Sequence, residues 1–222
     1  MELSLSSKDF MEYIQRQLAG LFPDDHCICP VSFSKVFSEA INRIEYCFSH
    51  VTLEAYNCNG QTKLSHLHSD QYAVFLWFLS SSVWKDGSDE KLATKLFYLN
   101  KTLHGFSCMY DTGLPDIFLL LHICGTVLGK ASYSDFFVAA QNCTVGAQNG
   151  KYPRIGQGVS LLPGSSIIGE CNIGDRVSVG IGTTIYQKDI ENNIVVFTGE
   201  DGNTYYKHKD LCWAQKLFNV TI

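Results

Sequence analysis

The chain has 222 residues, 45% of them hydrophobic and 18% charged, which is enough to bury a substantial core. Its net charge of −5 gives no support to a nucleic-acid partner. The opening MELSLSSKDF lacks a basic and an apolar signal segment, and the most apolar windows are too short to span a bilayer. A cytoplasmic protein without stable membrane insertion is therefore expected. Nine cysteines, mostly in apolar surroundings, read as reduced, buried thiols. His26, Cys27 and Cys29 form a metal half-site without a second cluster, so no metal is expected.

The first hundred residues carry helical periodicity. Phe10, Ile14, Leu18 and Leu21 share one face, and Phe33, Val36, Phe37, Ile41, Ile44 and Phe48 share another. NCNGQTK (57–63) is a turn-rich break. A strongly apolar helix follows, with Ser69 as its expected N-cap. KDGSDE (85–90) breaks the chain again, and a last helix runs to Gly105.

After about residue 110 a period of six replaces the helical pattern. Hexads run from Leu121 as LHICGT, VLGKAS, YSDFFV, AAQNCT and VGAQNG; KYPR (151–154) interrupts them. They resume from Ile155 as IGQGVS, LLPGSS, IIGECN, IGDRVS, VGIGTT and IYQKDI. An aliphatic residue leads nearly every hexad and a small residue commonly sits fifth, which is the pattern of a parallel β-helix with three short strands per coil. The leaders, Leu121 and Val127 among them, are expected to point into the prism. The tail (191–222) reads as a hairpin turning at 199–203, then a short helix in KDLCWAQKLF. The expected fold is thus α+β and multidomain: a helical domain (1–108), a β-helix (109–190) and a C-terminal tail (191–222).

One histidine lies within the hexads, His122. A neutral imidazole at this position has the chemistry of a general base for acyl transfer to a hydroxyl. A carboxylate on its second ring nitrogen would fix the tautomer, and N–H groups in glycine-containing turns would meet a developing oxyanion.

Residues 122–185 resemble the serine O-acetyltransferase branch of the hexapeptide-repeat acyltransferases. The resemblance rests on H-x-x-G-x-V-x-G at 122–129, Q-x-x-T-x-G at 141–146, P-x-I-G at 153–156 and the regular hexads beyond. It implies a left-handed β-helix, acetyl-CoA as acyl donor, no metal, and a homotrimer, or a dimer of trimers, with sites between subunits. Zinc enzymes on this scaffold use three histidines, which the hexads do not offer. By the resemblance His122 is the base, Asp111 its partner with Asp116 as rival, and Gly146, Gly164, Ser165, Gly182 and Thr183 the pantetheine wall. Lys188 or Arg176 would meet phosphates.

Two departures bear on the acceptor. The family's Asp before the base is Leu121 here, and its Arg-His before the loop proline is Lys151–Tyr152. Asp116, Lys151 and Tyr152 are the candidate acceptor-binding residues. The expected function is an O-acetyltransferase acting on a sugar hydroxyl in surface-polysaccharide (capsule or O-antigen) biosynthesis. Serine O-acetyltransferase activity is the alternative, and a silent trimeric scaffold is the alternative of another class.

Overall fold

A computed structural model describes residues 1–87 and 89–222; Ser88, within the KDGSDE break, lies outside the described residues. Four helices come first: α1 (Ser7–Leu21), α2 (Pro30–Ser49), α3 (Ser69–Asp86) and α4 (Glu90–His104). Their starts have local causes. Ser6 Oγ accepts the N–H of Asp9 ahead of α1, Pro30 opens α2, and Asp89 accepts the N–H of Leu92 ahead of α4. The N-cap of α3 is His68, whose ring nitrogen receives the N–H of Gln71 at 3.4 Å, one residue before the expected Ser69. The break at 57–63 contains a small hairpin, Asn57–Cys58 against Gln61–Leu64.

The rest is a parallel β-solenoid of about four coils, with three faces. Face 1 stacks Phe118–Leu120, Phe137–Ala139, Ser160–Leu161 and Ser178–Val179, then Ile194–Thr198. Face 2 stacks Val127–Leu128, Thr144–Gly146, Ser166–Ile168 and Thr184–Tyr186. Face 3 stacks Ser132–Tyr133, Arg154–Ile155 and Asn172–Ile173. Inside the prism, Ile155, Leu161, Ile167, Ile173, Val179 and Ile185 are all buried, six residues apart, as the hexads require. Corner residues Cys143, Val159, Ser165, Cys171, Val177 and Thr183 are buried as well, so the fifth position is small because it faces inward.

Before Tyr133 the register differs from the expected one. Leu128 is buried and Val127 is 43% exposed, and Leu120, paired with Ala139, takes the inward place expected of Leu121. Two extra residues in the first corner and one fewer before Tyr133 shift the count by one. The loop at 147–153 carries the other insertion, a tight turn in which Gln148 and Lys151 exchange backbone hydrogen bonds.

Helices and solenoid share one core. Phe118, at the open end of face 1, packs edge-on to Trp77 of α3 at 5.4 Å, and its carbonyl accepts the Cys47 thiol of α2 at 3.1 Å. At the other end the chain turns back as the hairpin Ile194–Thr198 and Thr204–His208. The expected terminal helix is only a 3-10 turn, Ala214–Lys216. The tail then returns to the helices, where Thr52 N–H donates to Leu217 and Asn219 N–H to His50. Among the described residues no helix is long and apolar enough to cross a membrane.

Because Ile167 sits in the middle of an inward ladder, Ile167→Ala should lower unfolding stability in a denaturant titration by about 2–5 kcal/mol. Thr184→Ala, on the exposed side of the same face, should change it by less than about 0.5 kcal/mol.

Candidate active site

Most corners of the solenoid are turned by one residue in the left-handed region. Between faces 1 and 2 these are Gly125, Asn142, Gly164 and Gly182, with φ of 74°, 56°, 72° and 65°. This explains Gly164 and Gly182 structurally, since a Cβ is disfavoured there. The corner takes four residues in three coils (140–143, 162–165 and 180–183) and six in the first (121–126). Leu121 and Cys124 keep the ladder bonds of their counterparts, with Leu121 N–H on Ala139 and Asn142 N–H on Cys124. The inserted pair is therefore His122 and Ile123.

Ile123 fills the core at 2% exposure, while His122 is exposed and left-handed at φ 53°. For a residue with a Cβ this conformation costs about 1–2 kcal/mol. What offsets it is Asp70, in the first turn of α3. One carboxylate oxygen accepts the His122 N–H at 2.8 Å, and the other accepts the Ile123 N–H at 3.2 Å. Hydrogen bonds to a charged group contribute about 1.5–3 kcal/mol each, so the anchor outweighs the strain. A second clamp comes from the C-cap of α4. The carbonyl of Gly105 accepts the N–H of Gly125, and Ser107 pairs with Val127. Among the described residues nothing hydrogen-bonds to the His122 ring.

Gly164, Ser165, Gly182 and Thr183 lie along the same edge as His122. Ser165 and Thr183 are fully buried, so the surface of these corners is formed by their neighbours Gly164, Ile181 and Gly182, which are exposed. Three coil steps of about 4.8 Å separate the first corner from Gly182, roughly 14 Å. On this edge Gln141 Oε1 is shielded from solvent and has no hydrogen-bond partner among the described residues.

The structure holds the other expected residues elsewhere. Asp111 faces Lys130, whose Nζ donates to it at 2.8 Å and has its pKa raised by the contact; the carboxylate is not on the His122 ring. Asp116 is exposed just ahead of Phe118. Gly146, Lys151, Tyr152 and Lys188 lie toward the far edge of face 2. Lys151 pairs with Glu170, and Tyr152 lines a cleft of about 530 Å³ with Arg154 and Asn172. Lys188 donates to the Tyr206 hydroxyl at 2.8 Å and lies over its ring, and Arg176 Nε donates to the Asn193 side chain. Asp70 and the Gln141 orphan escaped the sequence reading. Asp70 meets backbone rather than a motif, so no local pattern marks it; Gln141 stood in a quoted motif without an assigned role.

No family model matches the sequence, and no curated protein is detectably similar to it in sequence. Solved structures do match the fold. Serine acetyltransferase from Vibrio cholerae O1 biovar El Tor superposes with a TM-score of 0.66 at 17% identity, over 82% of this chain and 74% of that one. The Neisseria gonorrhoeae serine acetyltransferase in complex with serine gives 0.63 at 18% identity, over 86% and 81%. Isoform 3 from Entamoeba histolytica in complex with cysteine gives 0.59 at 15% identity, over 90% and 74%. The chain thus has the fold of these enzymes, a helical N-terminal region followed by a left-handed parallel β-helix.

Cys124 is exposed in the His122 corner, whereas burial pushes the thiols of Cys47 and Cys108 up to about 12 and raises that of Cys143. Only the thiolate reacts with alkylating agents. Iodoacetamide at pH 8 should therefore label Cys124 and spare Cys47, Cys108 and Cys143, as read by peptide mass spectrometry of the folded protein.

Proposed function

We propose that the protein is an acetyl-CoA-dependent O-acetyltransferase with His122 as general base. The observation that carries this reading is an exposed histidine held in an anchored insertion at the head of an edge that includes Gly164 and Gly182. Acetyl-CoA supplies the activated acyl group. The exposed backbone at Gly164, Ile181 and Gly182, with the Gln141 orphan, is the surface available to its pantetheine arm, and Gly146 lies off it toward the far edge of face 2. A ring nitrogen of His122 takes the proton of the acceptor hydroxyl as its oxygen attacks the thioester carbonyl; the tetrahedral intermediate then breaks its C–S bond, and the departing CoA sulfur takes that proton and leaves as the free thiol. Lys188 is already bonded to Tyr206, so its role toward phosphate requires exchange of that partner.

The fold comparisons favour serine as acceptor over the sugar hydroxyl expected from the sequence, and serine becomes the first reading. The sugar stands second for one reason: Leu121 brings no carboxylate beside the base to meet an ammonium group. Lys151 and Tyr152 are separated from His122 by the width of face 2, roughly 15 Å at about 3.3 Å per residue. A homotrimer that sets this edge of one protomer against the His122 edge of the next would unite them. The silent-scaffold reading has no account of the anchored His122.

Thiol release from acetyl-CoA with serine, then with sugars and nucleotide sugars, separates the acceptors. Turnover of a sugar far above serine would restore the second reading. His122→Ala should lower kcat by about two to four orders of magnitude. Asp111→Asn should lower it by less than about tenfold, because its carboxylate serves Lys130. Equal losses in the two variants would place Asp111 on the ring of the working enzyme.

A further inference from the structure

We infer that Asp70 is the positioning residue of this corner: by holding the N–H groups of His122 and Ile123 it sets the direction in which the imidazole leaves the solenoid. The inference rests on His122 being the base, and Asp70 acts through His122 without touching substrate.

Three observations carry it. First, the corner holds two residues more than the other three in its column, and the surplus is the pair whose amides Asp70 receives, one on each oxygen. Second, Asp70 is 6% exposed and forms no ion pair among the described residues. A carboxylate is expensive to bury without such compensation, and the two amides are the donors it meets here. It is not spent on capping its own helix, since His68 receives the N–H of Gln71. Third, the imidazole has no hydrogen-bond partner of its own among the described residues, so the backbone sets where the ring points. α3 is a rigid mount for this anchor, with Tyr72 through Leu79 all buried in the core.

The test is Asp70→Asn in the full chain, whose side chain can accept one amide and opposes the other. Steady-state kinetics should show kcat lowered about 10- to 100-fold, with KM for acetyl-CoA within about twofold of wild type. Hydrogen exchange should show protection lost at the His122 and Ile123 amides and kept in the inward strands. Asp70→Ser, smaller and without the misplaced amide, is the second variant if Asp70→Asn does not accumulate folded. Unchanged kcat per folded molecule, a change confined to KM, or unchanged exchange at the two amides overturns the inference. A wild-type protein that acetylates no acceptor overturns the proposed function instead, and the exchange measurement then still decides whether Asp70 anchors the corner.

Discussion

The stacking of inward aliphatic side chains fixes nearly everything else about this molecule. Each coil must deliver one such residue per face to the same height as the coil above, and Leu128, Val145, Ile167 and Ile185 form one of these ladders. A residue added within a strand would turn the next side chain out of the prism. Extra residues are therefore tolerated at corners, where they bulge outward without breaking a ladder. Both insertions obey this constraint: the pair 122–123 enters between faces 1 and 2, and the loop at 147–153 leaves between faces 2 and 3. The regular parts of the solenoid are scaffold, and the irregular corners are where this scaffold can carry chemistry.

A solenoid also has two open ends, and each must be covered to prevent further strand pairing. Here the helices cover the first end through Phe118, Trp77 and Phe78, and at the last end the hairpin of Ile194–Thr198 and Thr204–His208 pairs with the final strand of face 1. The helical region therefore does more than adjoin the β-helix. Its α3 start and α4 end grip the first corner, which is the one that holds His122. Covering the end and fixing the His122 corner are done by the same packing.

The sequence disclosed the parts governed by short-range repetition. From Ile155 onward no residue breaks the period, and every leader proved to face inward. Before Tyr133 an insertion of two and a loss of one nearly cancel, so the frame still looked regular while its leaders were displaced by one. Gly164 and Gly182 were legible as special, although their left-handed corners account for them before any ligand does. Asp70 could not be read, because it lies 52 residues from its partners and they are backbone amides. The Asp111–Lys130 pair was hidden for a similar reason: Lys130 follows the corner in sequence, and only the fold brings it onto the carboxylate.

On the proposed O-acetyltransferase reading, the same geometry constrains the choice of acceptor. The Leu121 N–H is engaged by Ala139, and its half-buried side chain packs against the core. Asp70, the carboxylate in contact with the corner, is committed to two backbone amides. An ammonium group entering beside His122 is thus met by neither residue. Asp111 could serve only by leaving Lys130, and Asp116 stands exposed before the first strand of face 1. If serine is the acceptor, its counter-charge comes from one of these two groups or from a neighbouring protomer's edge. A hydroxyl without an adjacent ammonium needs no such counter-charge. The acceptor question therefore reduces to whether a carboxylate reaches the His122 corner.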